Sequence, residues 1–253
     1  MKILRCVVIL LFLSTQCFGG GSVLFDGVDD AINVDTVSND IQTGAVSVGA
    51  WIKFTSAYTT LSGVMQVFRC ADDPSDNDIN LQFGLWAALG SGALGAASIA
   101  VYTGTEWTSA VSAKTSWDAD RWYYILGTFS TTLGEVIYVN GISDGTNANT
   151  TRGAGTPALV SRIGRSGNAT AALFVGSIAN VRVWNRTLTA SEALESMLCA
   201  DSPVNGLVAN WPLWDSKTQY DLSTFNNDGT NIAGTGMIGT QDGPPTSLCN
   251  GGA

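Results

Sequence analysis

Val46-Ser47-Val48-Gly49-Ala50-Trp51-Ile52-Lys53-Phe54 is the stretch on which the fold turns. Val46, Val48, Ala50, Ile52 and Phe54 alternate with Ser47, Gly49, Trp51 and Lys53. Successive strand side chains point to opposite faces, so this period of two predicts a strand with one apolar face. Working outward, Trp122 to Phe129 is a near-continuous aromatic and β-branched run, the pattern of a central strand. Val136 to Val139 ends at Asn140-Gly141, a pair suited to a tight hairpin. Val181-Arg182-Val183-Trp184 and Leu207-Val208-Ala209-Asn210-Trp211 read as further strands, as does Ser98 to Tyr102 after a Gly/Ala-rich turn from Ser91. Polar loops are expected at Ala71 to Asn80 and at Ser143 to Gly155. One helix stands out near residues 190–198. Thr189-Ala190-Ser191-Glu192 is a capping box in which the Thr hydroxyl and the Glu carboxylate each satisfy an orphan N–H. Leu194, Met197 and Leu198 give that helix a short apolar stripe, and it should stop near Cys199, before Pro203. Many strands and one short helix predict an all-β, two-sheet antiparallel sandwich.

The composition agrees. Of 253 residues, 45% are hydrophobic, 13% charged and 29 are glycine, which excludes a disordered chain. A net charge of −9 repels the phosphate backbone, so no nucleic-acid partner is expected. Residues 1–19 read as a signal peptide: Lys2 and Arg5 precede an apolar run from Cys6 to Leu13, and Cys17-Phe18-Gly19 offers a cleavage site. A lipid anchor at Cys17 and an extra N-terminal strand are the alternatives. The run is far shorter than the roughly 20 residues that span a bilayer. A secreted location permits disulfides. Cys199 and Cys249 flank the C-terminal segment, 199–253, and are paired on that ground; Cys70 is either buried or bridged to another chain.

Leu24-Phe25-Asp26-Gly27-Val28-Asp29-Asp30 resembles the opening strand of laminin-G-like, concanavalin A-type jelly-roll domains. Asp120-Arg121-Trp122-Tyr123-Tyr124, Ile137 to Gly141, Arg162-Ile163-Gly164-Arg165, Phe174 to Ile178 and Val181 to Thr189 resemble that family in the expected order. The resemblance covers roughly Ser22 to Leu198, read as one domain of residues 20–198. After the helix, the Pro-containing link and Asn210-Trp211 resemble pentraxins, and Asp221 to Gly229 resembles a stretch that elsewhere precedes the opening strand. The resemblance therefore implies a tail that packs on or completes the sandwich, in a permuted manner.

This superfamily holds glucanases, lectins and adhesion modules, so the site must decide. A retaining glucanase needs two carboxyls about 5 Å apart. The resemblance implies a Glu-x-Asp-x-x-Glu strand, and Glu106, Glu135, Glu192 and Glu195 do not form one. The chain has no histidine, which excludes His-dependent triads and His-ligated zinc. We expect no catalysis. Asp72-Asp73-Pro74-Ser75-Asp76-Asn77-Asp78 is the calcium candidate, through Asp73, Asp76, Asn77 and Asp78. Asp76-Asn77 resembles a calcium-binding pair of pentraxins. The second pentraxin ligand cluster is replaced by Arg165-Ser166-Gly167-Asn168, and the acid before the Val-Arg strand by Ala179. Aromatic faces can stack on sugar rings. Trp51, Trp122, Trp184 and Trp211 lie in strand patterns and read as core, whereas Trp86, Trp107 and Trp117 lie nearer turns and are the ligand-binding candidates. Asn149, Asn168 and Asn185 head glycosylation sequons. The leading expectation is a secreted, non-catalytic recognition module for a glycan or an extracellular surface. The alternative is a structural subunit of a fibre, surface layer or matrix.

Overall fold

The computed structural model describes residues 20–42, 44–58, 64–70, 81–86, 95–153, 160–166, 172–199, 201–214, 218–232 and 237–245, with the side chains of Trp86 and Ile232 left aside. In chain order the strands are β1 (Ser22–Asp26), β2 (Ala31–Asn33), β3 (Val46–Lys53), β4 (Met65–Cys70), β5 (Leu81–Trp86), β6 (Ala96–Tyr102), β7 (Trp107–Val111) and β8 (Trp122–Ser130). There follow β9 (Gly134–Val139), β10 (Ile142–Asn147), β11 (Ser161–Ile163) and β12 (Val175–Trp184), then helix α1 (Ala190–Leu198). Four tail strands close the list: β13 (Leu207–Trp211), β14 (Thr218–Gln219), β15 (Gly229–Ile232) and β16 (Ile238–Thr240).

These strands form two antiparallel sheets. The first runs β10-β9-β8-β3-β12-β1-β16, with β13 paired to the second half of β12; the second runs β14-β15-β2-β11-β4-β5-β6-β7. β3 sits at the middle of the first sheet, and its alternation is realised. Val46, Val48, Ala50 and Ile52 enter the core between the sheets, where they join Phe83 and Ile99 of the second sheet. Trp51 points to the other face and joins Tyr124, Leu126, Tyr138 and Trp184 in a second cluster, with Leu188 and Ala193 around the helix. The first sheet is thus covered on both faces over its centre. That is why Trp122 to Phe129 reads as a continuous apolar run instead of an alternating one. At Asn140-Gly141 both residues have positive φ, +50° and +77°, as the tight hairpin between β9 and β10 requires.

The capping box forms: Thr189 accepts from the Glu192 N–H and Glu192 accepts from the Thr189 N–H. Arg186 adds a two-pronged contact to Glu192, at 2.9 and 2.6 Å. The last turn of α1 has no basic residue of its own. Arg182 of β12, fully buried, supplies that charge from below. It donates to the carbonyls of Ser196, Cys199 and Ser202 and lies 5.3 Å from the Trp184 ring. A cation at a helix C-terminus opposes the helix dipole and fills the orphan carbonyls.

Three features differ from the sequence reading. The first part of the expected polar loop, Ser143 to Asn147, is strand: β10 pairs with β9 through a bulge between Ser143 and Gly145, which the turn-forming composition conceals. A 3-10 helix spans Asp35–Asp40. The two strand motifs at Phe174–Ile178 and Val181–Trp184 are one ten-residue strand, bent at Asn180, whose φ is +49°. Cys70, for which the sequence allows burial or an inter-chain bridge, is fully buried.

The tail contributes to both sheets. β16 pairs with β1 and β13 with β12, while β15 pairs with β2. Asp221 holds the intervening turn together. Its carboxylate accepts from the Asn210, Ser223 and Asn227 N–H groups and from the Ser223 hydroxyl. Trp211, buried completely, donates its indole N–H to Asn227 O at 2.7 Å. Residues 1–19 and Cys249 lie outside the described residues.

Candidate ligand-binding surface

The tryptophans expected to meet a ligand part company in the structure. Trp117 is a correction: it is 1% exposed, packs edge-on against Tyr123 at 5.0 Å and donates its indole N–H to Gly95 O, so it belongs to the core. An isolated bridge to Tyr58 draws it inward, which no local pattern announces. Trp107 begins the edge strand β7, directly opposite Tyr102 on β6. Both are half-buried, with ring centroids 5.6 Å apart, so this pair keeps part of its surface open. Trp86 ends β5, and its side chain lies outside the described residues, as do Asp73, Asp76, Asn77 and Asp78.

A second aromatic surface went unread in the sequence. Beyond β13, Trp214 and Tyr220 are 54% and 63% exposed. With Pro212 and Leu222 they wall a cleft of about 190 Å³, floored by Leu213 and the buried Gln219. The local backbone positions Trp214. Leu213 is buried with φ +60°, a conformation costly for a side-chain-bearing residue, and it turns the chain so that the next side chain leaves the core. Gly20 passes close enough that a Cβ there would lie 2.1 Å from Trp214 Nε1, so the indole is braced against backbone. The signal available in the sequence was Trp-Pro-Leu-Trp at 211–214: proline ends the strand, which frees Trp214 from the alternation that buries Trp211.

The glutamates do not assemble a hydrolytic pair. Glu106 is exposed in the β6–β7 hairpin and Glu195 is exposed on α1. Glu135 on β9 is fully buried, and its bonds are to the Thr108 hydroxyl at 2.5 Å and the Asn149 amide at 3.1 Å. Desolvation raises its pKa above the ordinary carboxyl value, while those two donors and the Ala110 N–H pull it back. The Asn149 amide is also committed to Thr108 and Thr151, which occupies the group a glycan would modify. Glu192, held by Arg186 and the helix cap, has its pKa lowered to about 2. Cys199 is nearly buried as the C-cap residue of α1.

A laminin-G family model, described as the concanavalin A-like lectin/glucanases superfamily, matches residues 26–193. The chain belongs to that superfamily. Solved structures repeat the fold at low identity. A heptameric SAP-like pentraxin from Limulus polyphemus superposes with TM-score 0.51 at 16% identity, over 71% of this chain and 82% of that one. A Bacteroides ovatus protein assigned to carbohydrate binding gives 0.53 at 19%, over 89% of this chain but 61% of its own. The CBM40 of a Ruminococcus gnavus IT-sialidase, bound to α2,3-sialyllactose, gives 0.56 at 11%, over 70% and 96%. No curated protein matches this chain in sequence. The superfamily match ends at residue 193, so the Trp214 cleft lies outside the matched segment.

Proposed function

We propose that this lectin-type sandwich is a secreted, non-catalytic recognition module that binds carbohydrate. The supporting observation is the cleft in which Trp214 and Tyr220 present exposed rings. A ring-sized apolar cleft with aromatic walls suits the C–H face of one sugar residue, and a sugar that bridges to polar edges would gain orientation there. Carbohydrate-binding relatives with this fold point the same way. Among the described residues no second carboxylate interacts with Glu135, which supports a binding role over hydrolysis. Calcium at the Asp72–Asp78 loop, cleavage near Gly19 and a Cys199–Cys249 bridge belong to the same proposal. N-terminal sequencing and non-reduced peptide mapping of exported protein test the last two.

The deciding experiment is a glycan array probed with the mature protein, run beside a native sizing column. Selective binding by a monomer is the expected result. Phe225 and Ile238, 46% and 55% exposed on the tail, favour the assembly reading instead. Self-association without any sugar signal would establish that alternative and end the recognition proposal.

A further inference from the structure

The turn from β1 in the first sheet to β2 in the second is Asp26-Gly27-Val28-Asp29-Asp30. Two hydrogen bonds shape it. Asp26 Oδ1 accepts from the Val28 N–H at 2.8 Å, and Asp30 Oδ2 accepts from the Asp26 N–H at 2.9 Å. Neither bond accounts for the other oxygen of Asp30. That residue is 1% exposed, and its Oδ1 is buried without a hydrogen-bond partner among the described residues. Ligand oxygens of Asp26, Asp29 and Asp30 lie within 4.8 Å of one another. Asp26 is exposed and Asp29 is half-buried, so the group opens to solvent on one side while Asp30 closes the other.

Charge makes this arrangement costly as it stands. Three carboxylates meet here, and none takes part in the ion pairs found among the described residues. Arg165 is the basic side chain whose charge reaches Asp29. Among the described residues, one guanidinium faces three carboxyl groups, so the cluster carries an excess of negative charge. A buried, unpaired carboxylate oxygen beside two further carboxylates is destabilising unless a cation or donor reaches it.

We propose that Asp26, Asp29 and Asp30 form a binding site for one divalent cation of the hard, oxygen-preferring class, with calcium the favoured ion. Calcium holds oxygens at about 2.3–2.6 Å, so opposed ligands stand roughly 4.6–5.2 Å apart, which accommodates the spread of these carboxylates. Three carboxylates supply part of its shell of six to eight oxygens, and water on the open side completes it. An ion here would pin the crossover between the two sheets. The site shares no residue with the Asp72–Asp78 loop and does not depend on the glycan reading.

Calorimetric titration of the full chain with calcium chloride tests it, with Asp29→Asn, Asp30→Asn and Asp76→Asn in parallel. The wild type and Asp76→Asn should bind calcium with a dissociation constant on the order of 0.1–1 mM, as extracellular modules do. Asp29→Asn and Asp30→Asn should each weaken that site at least tenfold. Asp29 makes neither of the turn's two hydrogen bonds, so its variant reports on the site even if Asp30→Asn impairs folding. A wild type with no calcium heat overturns the proposal. So do Asp29→Asn and Asp30→Asn proteins that bind as the wild type does, or a loss confined to Asp76→Asn.

Discussion

Two aromatic surfaces flank the β12–β13 pair, and they differ in what covers them. On the outer face of the first sheet Trp184 is fully buried under α1, its indole N–H donated to Pro203 O and the Arg182 guanidinium against its ring. Just past β13, Trp214 is braced from behind by Gly20 and is open in front. The same residue type is structural in one place and available in the other. What separates them is a covering element, the helix; among the described residues none lies over the cleft. Tryptophan content alone therefore says little about sugar binding; position relative to strand ends says more.

The comparison breaks if both surfaces respond alike to truncation. Trp184→Ala should cost about 3–5 kcal/mol of stability in chemical denaturation, since a large buried side chain leaves a cavity. Trp214→Ala should stay within about 0.5 kcal/mol, as exposed substitutions do. A loss of several kcal/mol at Trp214 would make it a core residue. The next largest effect belongs to Arg182. Arg182→Met keeps an apolar stem but strips donors from the Ser196, Cys199 and Ser202 carbonyls, and should cost about 2–4 kcal/mol. An unchanged denaturation midpoint would show that the helix is held by Leu188 and Ala193 alone.

Two glutamates sharpen the contrast through pH. Glu192 has a folded pKa of about 2, below its ordinary 4.5, so its contribution is complete above about 4.5 and is lost as pH falls through about 2. Glu192→Gln should therefore cost about 1 kcal/mol at neutral pH and nothing near pH 2. Glu135 runs the other way. Burial raises its folded pKa, so the fold favours its protonated form, and that advantage fades as pH rises through the folded value. Glu135→Gln preserves an acceptor for Thr108 and Asn149 and removes the buried charge, so it should stabilise the protein at neutral pH and flatten the rise of melting temperature on mild acidification. A destabilised Glu135→Gln protein at neutral pH would mean that the charge itself is used.

The scaffold was legible because its signals are local and mutually consistent. Alternation at Val46–Phe54 placed β3, Asn140-Gly141 placed a hairpin, and the Thr189–Glu192 box placed the start of α1. The superfamily resemblance rested on the order of those same elements. The surface was less legible. Trp117 is buried by pairing with Tyr58, and β10 is built from Ser143-Asp144-Gly145-Thr146, residues that favour turns, because β9 holds it in place. The Trp214 cleft needs Leu213 at positive φ and Gly20, distant in sequence, against the indole. The Asp26–Asp30 stretch reads in sequence as a strand opening, and only burial reveals that one Asp30 oxygen lacks a partner among the described residues. Most of these features rest on tertiary contacts that single-sequence patterns do not carry; for Trp214 the proline at 212 was the local signal.

The most direct test of the recognition account is a titration of the strongest glycan from the array against wild type, Trp214→Ala and Trp107→Ala. A lost stacking contact is worth about 1.4 kcal/mol or more when affinity falls tenfold. The account predicts at least that loss in Trp214→Ala, with an unchanged melting temperature, and a smaller effect in Trp107→Ala. Wild-type affinity in Trp214→Ala would contradict it.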